Sequence, residues 1–172
     1  MTRILGIDPG SIITGYGIID IEGNHARHVT HGSIRVTGEE LPEKLRYIFD
    51  EITRLAGEFH PEEMAIEKVF MHKNADSALK LGQARGTAIT ACALQDIKVF
   101  EYTPNQVKQA TVGRGHAAKQ QVQHMIKVLL CLERPPQADA ADALALALCH
   151  AHTRTFMSRL PKITSMRRGG TR

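Results

Sequence analysis

Apolar residues fall along this chain in two rhythms, and the switches between them mark its elements. Arg3–Asp8 is a short apolar run, Gly15–Ile21 enters a β-branched stretch through a glycine, and Arg27–Val36 alternates around Gly32; all three are strand patterns. Asp8-Pro9-Gly10 and Glu22-Gly23-Asn24 are turn formers between them, so the strands read as an antiparallel meander. From Leu41 to Phe59 the apolar positions become 41, 45, 48, 49, 52, 55, 56 and 59, with Pro42 near the start. That is the spacing of one helix face.

His60-Pro61 breaks the helix, and Met64–Val69 makes a fourth strand. Ala75–Leu94 returns to helix spacing, and Lys98–Tyr102 is a fifth short strand. Pro104–Val112 and Ala118–Leu132 read as further helices joined by Gly113-Arg114-Gly115, and a last helix runs from near Gln137 to about His152. Three strands, helix, strand, helix, strand describes an α/β fold, a mixed five-stranded sheet with right-handed crossovers and helices packed on it. The expected division is one domain over 1–152 and a basic, disordered tail over 153–172.

Bulk composition excludes little. The 172 residues are 42% hydrophobic and 23% charged, ordinary for a soluble globular domain, and the expected location is cytoplasmic. No apolar run approaches the roughly 18 residues of a membrane helix, so no membrane association is expected. Cys92, Cys131 and Cys149 have neither CxxC nor zinc spacing and read as buried free thiols in a reducing compartment. The histidines are spread over surface positions, and no pair has a defensible zinc spacing.

Charge changes the picture by its distribution. Residues 1–67 balance at −6, 68–128 at +6, 129–152 at −2 and 153–172 at +6, within a net charge of +4. An acidic part beside a basic middle and tail suits a protein that grips a polyanion.

Four acids sit at element ends. Asp8 closes Ile4-Leu5-Gly6-Ile7, Glu67 closes Met64-Ala65-Ile66, and Asp139 and Asp142 open the helix after Pro135-Pro136-Gln137. Each has a plain structural reading: a turn former at Asp8, a solvated strand end at Glu67, and first-turn acids favoured by the helix dipole at Asp139 and Asp142. Gathered together they would make an all-oxygen pocket for a hard divalent cation. The spacing of Asp139 and Asp142 puts both on one helix face.

The neighbours of these acids carry a resemblance. Gly6-Ile7-Asp8-Pro9-Gly10 with Thr14-Gly15-Tyr16-Gly17, Ala65-Ile66-Glu67-Lys68-Val69-Phe70, the run from Lys73 to Gly86, and Gln137-Ala138-Asp139-Ala140-Ala141-Asp142-Ala143-Leu144-Ala145 resemble the RuvC family of Holliday-junction resolvases, in order, over residues 2 to 152. The resemblance implies a ribonuclease-H-like fold with helices on both faces of the sheet, a homodimer, and two Mg²⁺ ions held by Asp8, Glu67, Asp139 and Asp142, with Mn²⁺ able to substitute. It implies paired symmetric nicks in strands of like polarity at a four-way DNA junction, leaving 5′-phosphate and 3′-hydroxyl ends, in recombination and repair. The RuvA-RuvB branch-migration complex is the implied protein partner.

Further site residues follow from the same resemblance. Lys108 and Lys119 would lie near the scissile phosphate, where an ammonium offsets developing charge. Phe70 would stack on an unpaired base. Lys73, Lys80, Arg85 and Arg114 would contact phosphates, which positions DNA without reading its sequence. Three rivals stand beside this reading: an inactive junction-binding scaffold of the same fold, a nuclease for RNA–DNA hybrids, and a small actin-like phosphotransferase. The last is disfavoured because that architecture needs two such domains.

Overall fold

Strand register decides where the acids go. In the computed structural model, which describes residues 1–68, 75–113 and 118–159, β1 (Thr2–Asp8), β2 (Ile13–Glu22) and β3 (His25–Arg35) form the antiparallel meander. Helix α1 (Leu41–Phe59) crosses over to β4 (Glu63–Glu67), which pairs parallel with β1, and α2 (Ala75–Ala93) crosses to β5 (Lys98–Tyr102), parallel with β4. Helices α3 (Pro104–Val112), α4 (Lys119–Leu129) and α5 (Ala138–Arg159) follow. The sheet order is β3-β2-β1-β4-β5.

Helices cover both faces. On one side, Ile48, Ile52 and Leu55 of α1 and Ala84, Ala88 and Ala91 of α2 pack on Leu5, Ile7, Ile18, Met64 and Ile66. On the other, α3, α4 and α5 pack on Ile4, Ile19, Ile21 and Ala65. Side chains alternate between faces along a strand, so Asp8 shares the α5 side with Ile4, and Glu67 shares it with Ala65. Because Ile7 and Ile66 are register partners in the parallel pair, the two acids leave the same end of the sheet on adjacent strands.

Helix α5 is wedged between the sheet and the α3–α4 layer, and between Asp142 and His150 it is apolar all round: Ala143, Leu144, Ala145, Leu146, Ala147, Leu148 and Cys149 are all buried. A helix of that kind belongs inside a core. At the opposite end of the sheet, Arg3 Nε donates to Asp20 at 2.7 Å and Arg27 Nη2 donates to it at 2.6 Å. Asp20 is buried, and the hydrogen bond from Arg3 is the main reason its carboxyl is held below the ordinary value.

Several boundaries differ from expectation. β2 starts at Ile13, two residues before Gly15, and α4 spans Lys119–Leu129 rather than 118–132. Leu130 caps α4, and Cys131 turns the chain in the left-handed region at φ 51°. This turn leaves Cys131 exposed, whereas Cys92 and Cys149 are buried as expected. The last helix continues past His152 to Arg159, so residues 153–159 are helical rather than tail. Arg154 fastens this extension through an ion pair with Glu63 at 3.1 Å. His150, read as a surface residue, is buried on the inner side of α5.

Candidate active site

Two glycines allow α5 to lie directly on the strands that carry and flank Asp8. A β-carbon on Gly6 would fall 2.0 Å from the carbonyl oxygen of Ala143, and one on Gly15 would fall 2.1 Å from that of Asp139. Glycine inside a strand marks such close backbone approach. Since Asp8 is the register partner of Gly15, the first turns of α5 are laid over the end of β1 by contact. Asp139 and Asp142 arrive there with them.

Lysines come from the other side. Thr103 caps α3, its hydroxyl oxygen accepting from Gln106 N at 3.3 Å while Gln106 Oε1 accepts from Thr103 N at 2.8 Å. This reciprocal box starts the helix that carries Lys108. Lys119 opens α4, where Gln121 Oε1 accepts from Ala118 N at 2.9 Å.

The result is a pocket of about 300 Å³ lined by Asp8, Glu67, Asp142, Lys108 and Lys119, with Pro104, Val107, Val122 and Leu146 as its apolar wall. Asp139 does not line it, but its charge acts on Asp8, Asp142 and Lys119. Lys119 Nζ lies 3.2 Å from Asp142 Oδ2.

Electrostatics follow from crowding acids in a part-buried place. Burial pushes the Asp8 carboxyl up to about 7, with Asp142, Glu67 and Asp139 adding to the rise and Lys119 opposing it. Burial also raises Glu67, helped by Asp142 and opposed by Lys108. Asp142 is raised by burial despite its lysine, while Lys119 is raised by Asp142. The two shifts are compatible because the carboxylate loses more hydration than the exposed ammonium. Four acids against two lysines leave excess negative charge in a confined space. Among the described residues no three His, Cys, Asp or Glu side chains already close into a metal cage. The donor chemistry nonetheless fits a hard cation: every donor is a carboxylate oxygen, and a divalent charge would relieve the repulsion that raises Asp8.

Other expected site residues are distributed differently. Lys80 is exposed, pairs with Asp76 at 2.7 Å on its own helix, and borders a separate groove with Ile12, Leu41 and Ile48. Arg85, expected on phosphate, is turned inward. Its Nε donates to the Glu67 carbonyl at 3.0 Å and its Nη2 pairs with Glu101. Two of its five N–H groups are thereby engaged in anchoring the end of β4. Phe70, Lys73 and Arg114 lie outside the described residues, as does Val69.

The glycines and Arg85 are the site features that residue chemistry alone mislaid. Gly6 and Gly15 carried a signal, glycine interrupting a strand pattern. Arg85 carried none that separates a phosphate contact from a backbone anchor.

Comparisons with known proteins agree on a family. The model of the crossover junction endodeoxyribonuclease RuvC family matches residues 4–150. The crossover junction endodeoxyribonuclease RuvC of Hahella chejuensis is 54% identical over 172 residues, covering 100% of both chains. That of Shewanella baltica is 58% identical over 153 residues, covering 89% of this chain and 88% of its own. Among solved structures, T. thermophilus RuvC in complex with Holliday junction substrate superposes with a TM-score of 0.86 at 33% identity, covering 92% of this chain and 98% of that one.

Proposed function

The chain belongs to the RuvC family of crossover junction endodeoxyribonucleases, and we propose that the Asp8, Glu67, Asp139 and Asp142 cluster is the catalytic centre of a Holliday junction resolvase. The enzyme hydrolyses one phosphodiester in each of two strands of like polarity at a four-way DNA junction, in homologous recombination and DNA repair. Its products carry 5′-phosphate and 3′-hydroxyl ends, which a ligase can seal.

One observation carries the reading. Three acids from three elements, Asp8, Glu67 and Asp142, line one pocket together with Lys108 and Lys119, with Asp139 acting on it from α5. Asp8, Glu67, Asp139 and Asp142 would hold divalent cations, two Mg²⁺ or Mn²⁺. Bound there, the cations supply an activated water and stabilise the departing 3′ oxygen.

The protein's own groups do the rest. Lys119, paired with Asp142 at 3.2 Å, opposes the rise that burial imposes on that carboxylate, and its ammonium stands at the pocket where a phosphate would enter. Lys108 faces the same pocket from α3 and opposes the rise in Glu67. Both ammoniums then balance the charge that grows on the phosphoryl oxygens. The apolar wall of Val107, Val122 and Leu146 limits water around the acids, which strengthens every charge interaction inside.

The polyanion needs a wider grip. Phe70 and Lys73 follow Glu67 in the chain, and Arg114 lies between Lys108 and Lys119. We assign Phe70 to stacking on an unpaired base and Lys73, Lys80 and Arg114 to phosphates. The Lys80–Asp76 pair is exposed and weak enough for a phosphate to displace. A homodimer suits the two-fold pairing of incisions, and a RuvA-RuvB branch-migration complex would deliver the junction. The working compartment is the cytoplasm, with the DNA; among the described residues no helix is long and apolar enough to cross a membrane.

The test uses a synthetic four-way junction, a matching duplex and an RNA–DNA hybrid, each with Mg²⁺ or with chelator. Symmetric, ligatable nicks confined to the junction and dependent on metal are expected. Binding without cutting would leave a junction scaffold, and degradation of the hybrid would make the protein a ribonuclease instead.

A further inference from the structure

His150 is buried, ionisable and eight residues past Asp142 on α5, yet it lies outside the pocket and the proposed chemistry does not use it. Its ring stacks on Phe100 at 4.3 Å between centroids. Its Nε2 is 2.8 Å from Glu63 Oε2, and its Nδ1 is 2.6 Å from Tyr102 Oη. An ionised carboxylate can only accept, so Nε2 carries the proton and donates to Glu63. Nδ1 is then the lone pair that accepts from the Tyr102 hydroxyl. Neutral His150 satisfies both neighbours, and Arg154 completes the chain by pairing with Glu63 at 3.1 Å.

Each member of this chain sits on an element that delivers a site residue. Glu63 is on β4, on the same face as Glu67 and four residues before it. Tyr102 is the register partner of Glu67, its carbonyl accepts from Lys68 N at 2.8 Å, and the next residue caps the helix of Lys108. His150 is on α5, with Asp139 and Asp142 about 12 to 17 Å nearer its start. Apart from Cys149, the other buried residues of α5 are alanine and leucine. Gly6 and Gly15 set how closely the first turns of α5 lie on the sheet, and the buried hydrogen-bonded chain adds a directional constraint farther along it, since a shift leaves polar groups unpaired in a dry interior.

We propose that Tyr102, His150 and Glu63 are positioning residues that fix the register of α5 on the sheet, and through it the placement of Asp139 and Asp142 opposite Glu67 and Lys108. The proposal rests on the resolvase reading for its consequence in catalysis, but its structural core stands apart from it.

The experiment compares His150→Phe, which keeps a ring for Phe100 and loses both hydrogen bonds, with Leu55→Ala, a core truncation on the opposite face of the sheet. Amide hydrogen exchange along residues 138–146, Mn²⁺ affinity by paramagnetic resonance, and junction binding in chelator are measured for both. His150→Phe is expected to speed exchange in that stretch and weaken Mn²⁺ binding about tenfold or more, as loss of groups that orient ligands does. Leu55→Ala should do neither, although it lowers the melting temperature as much or more. Junction binding in chelator should hold for both. Tyr102→Phe removes a single oxygen and should give a smaller effect of the same sign, which keeps the test intact if His150→Phe does not fold. Equal effects from His150→Phe and Leu55→Ala, or unchanged exchange and Mn²⁺ affinity in Tyr102→Phe, overturn the proposal. Failure of the wild-type protein to cut junctions would sink the resolvase reading, while the exchange data would still decide the register.

Discussion

Gly15 lies against the backbone of Asp139, so closely that a β-carbon on the glycine would sit 2.1 Å from the Asp139 carbonyl oxygen. No side chain on either residue could move to relieve the clash, because the obstacle is main chain. Gly15→Ala must therefore push α5 away from β2 at the place where Asp139 and Asp142 enter the site. Overpacking of this kind costs about 1 to 3 kcal/mol. We expect a lower melting temperature and a cleavage rate reduced by at least about tenfold, since a misplacement near 1 Å is expensive in catalysis. Junction binding in chelator should be nearly unchanged. A variant that cuts at the wild-type rate would mean that α5 can shift without disturbing the acids.

Asp8 makes stability depend on pH in an unusual direction. Its carboxyl rises from 3.8 to about 7 on folding, mainly by burial, so the native state holds a proton that the unfolded chain releases. The stabilising protonated form is fully present below about pH 4 and is lost as pH rises through about 7. In chelator, wild-type stability should fall between about pH 5 and pH 8.5 by an amount on the order of 2 to 4 kcal/mol attributable to this group. Buried His150 is lowered from 6.5 and acts oppositely, costing stability at the acid end. The decisive quantity is therefore the difference between wild type and Asp8→Asn, measured by denaturant titration. Asp8→Asn should gain most at alkaline pH and should cut no junction while still binding it. A difference that does not change with pH would remove Asp8 as the titrating group.

How far the site was legible depends on the distance over which its causes act. Asp8 and Glu67 could each be put at a strand's end from local pattern alone, but that both leave the same end of the sheet is decided by the parallel register of Ile7 with Ile66. Asp139 and Asp142 were legible as partners of one helix face. What the residues could not disclose was contact between remote segments. His150 looked like surface because its partner Glu63 lies 87 residues away in sequence, and the hold of Arg85 on the Glu67 carbonyl was hidden because positive charge does not reveal its acceptor. Cys131 looked apolar and buried because its flanking leucines hide the left-handed turn that exposes it.

Lys119 should matter more than an exposed lysine ordinarily does. Among the described residues it is the cation paired with Asp142 and the one that opposes the rise in Asp8. Lys119→Met removes both effects and the charge available to the phosphate. Single-turnover cleavage should slow by about a hundredfold or more, the usual cost of losing a group that stabilises developing charge. Both acids lose the neighbour that favours their ionised forms, so the pH at which the remaining activity appears should move upward. Lys119→Arg restores the charge and should recover part of the rate. Equal rates for the methionine variant and wild type would assign Lys119 to surface charge alone.

Arg85 offers a clean separation between positioning and DNA binding. Its guanidinium spans from the Glu67 carbonyl at 3.0 Å to the Glu101 carboxylate, and its side chain is only 19% exposed. Lysine cannot reproduce a planar fork that serves two acceptors at once. Arg85→Lys should therefore loosen the end of β4 and slow cleavage by about tenfold, the lower range for losing a group that orients a ligand. It keeps its charge, so the sharper comparison is Arg85→Gln, which slows cleavage too. If Arg85 serves the Glu67 backbone, the slope of log binding constant against log salt is the same for Arg85→Gln and wild type. If it grips a phosphate, that slope falls by about one in the glutamine variant. Junction binding titrated over several salt concentrations in chelator reads the slope directly, and a drop of one unit would place Arg85 on the DNA-binding surface.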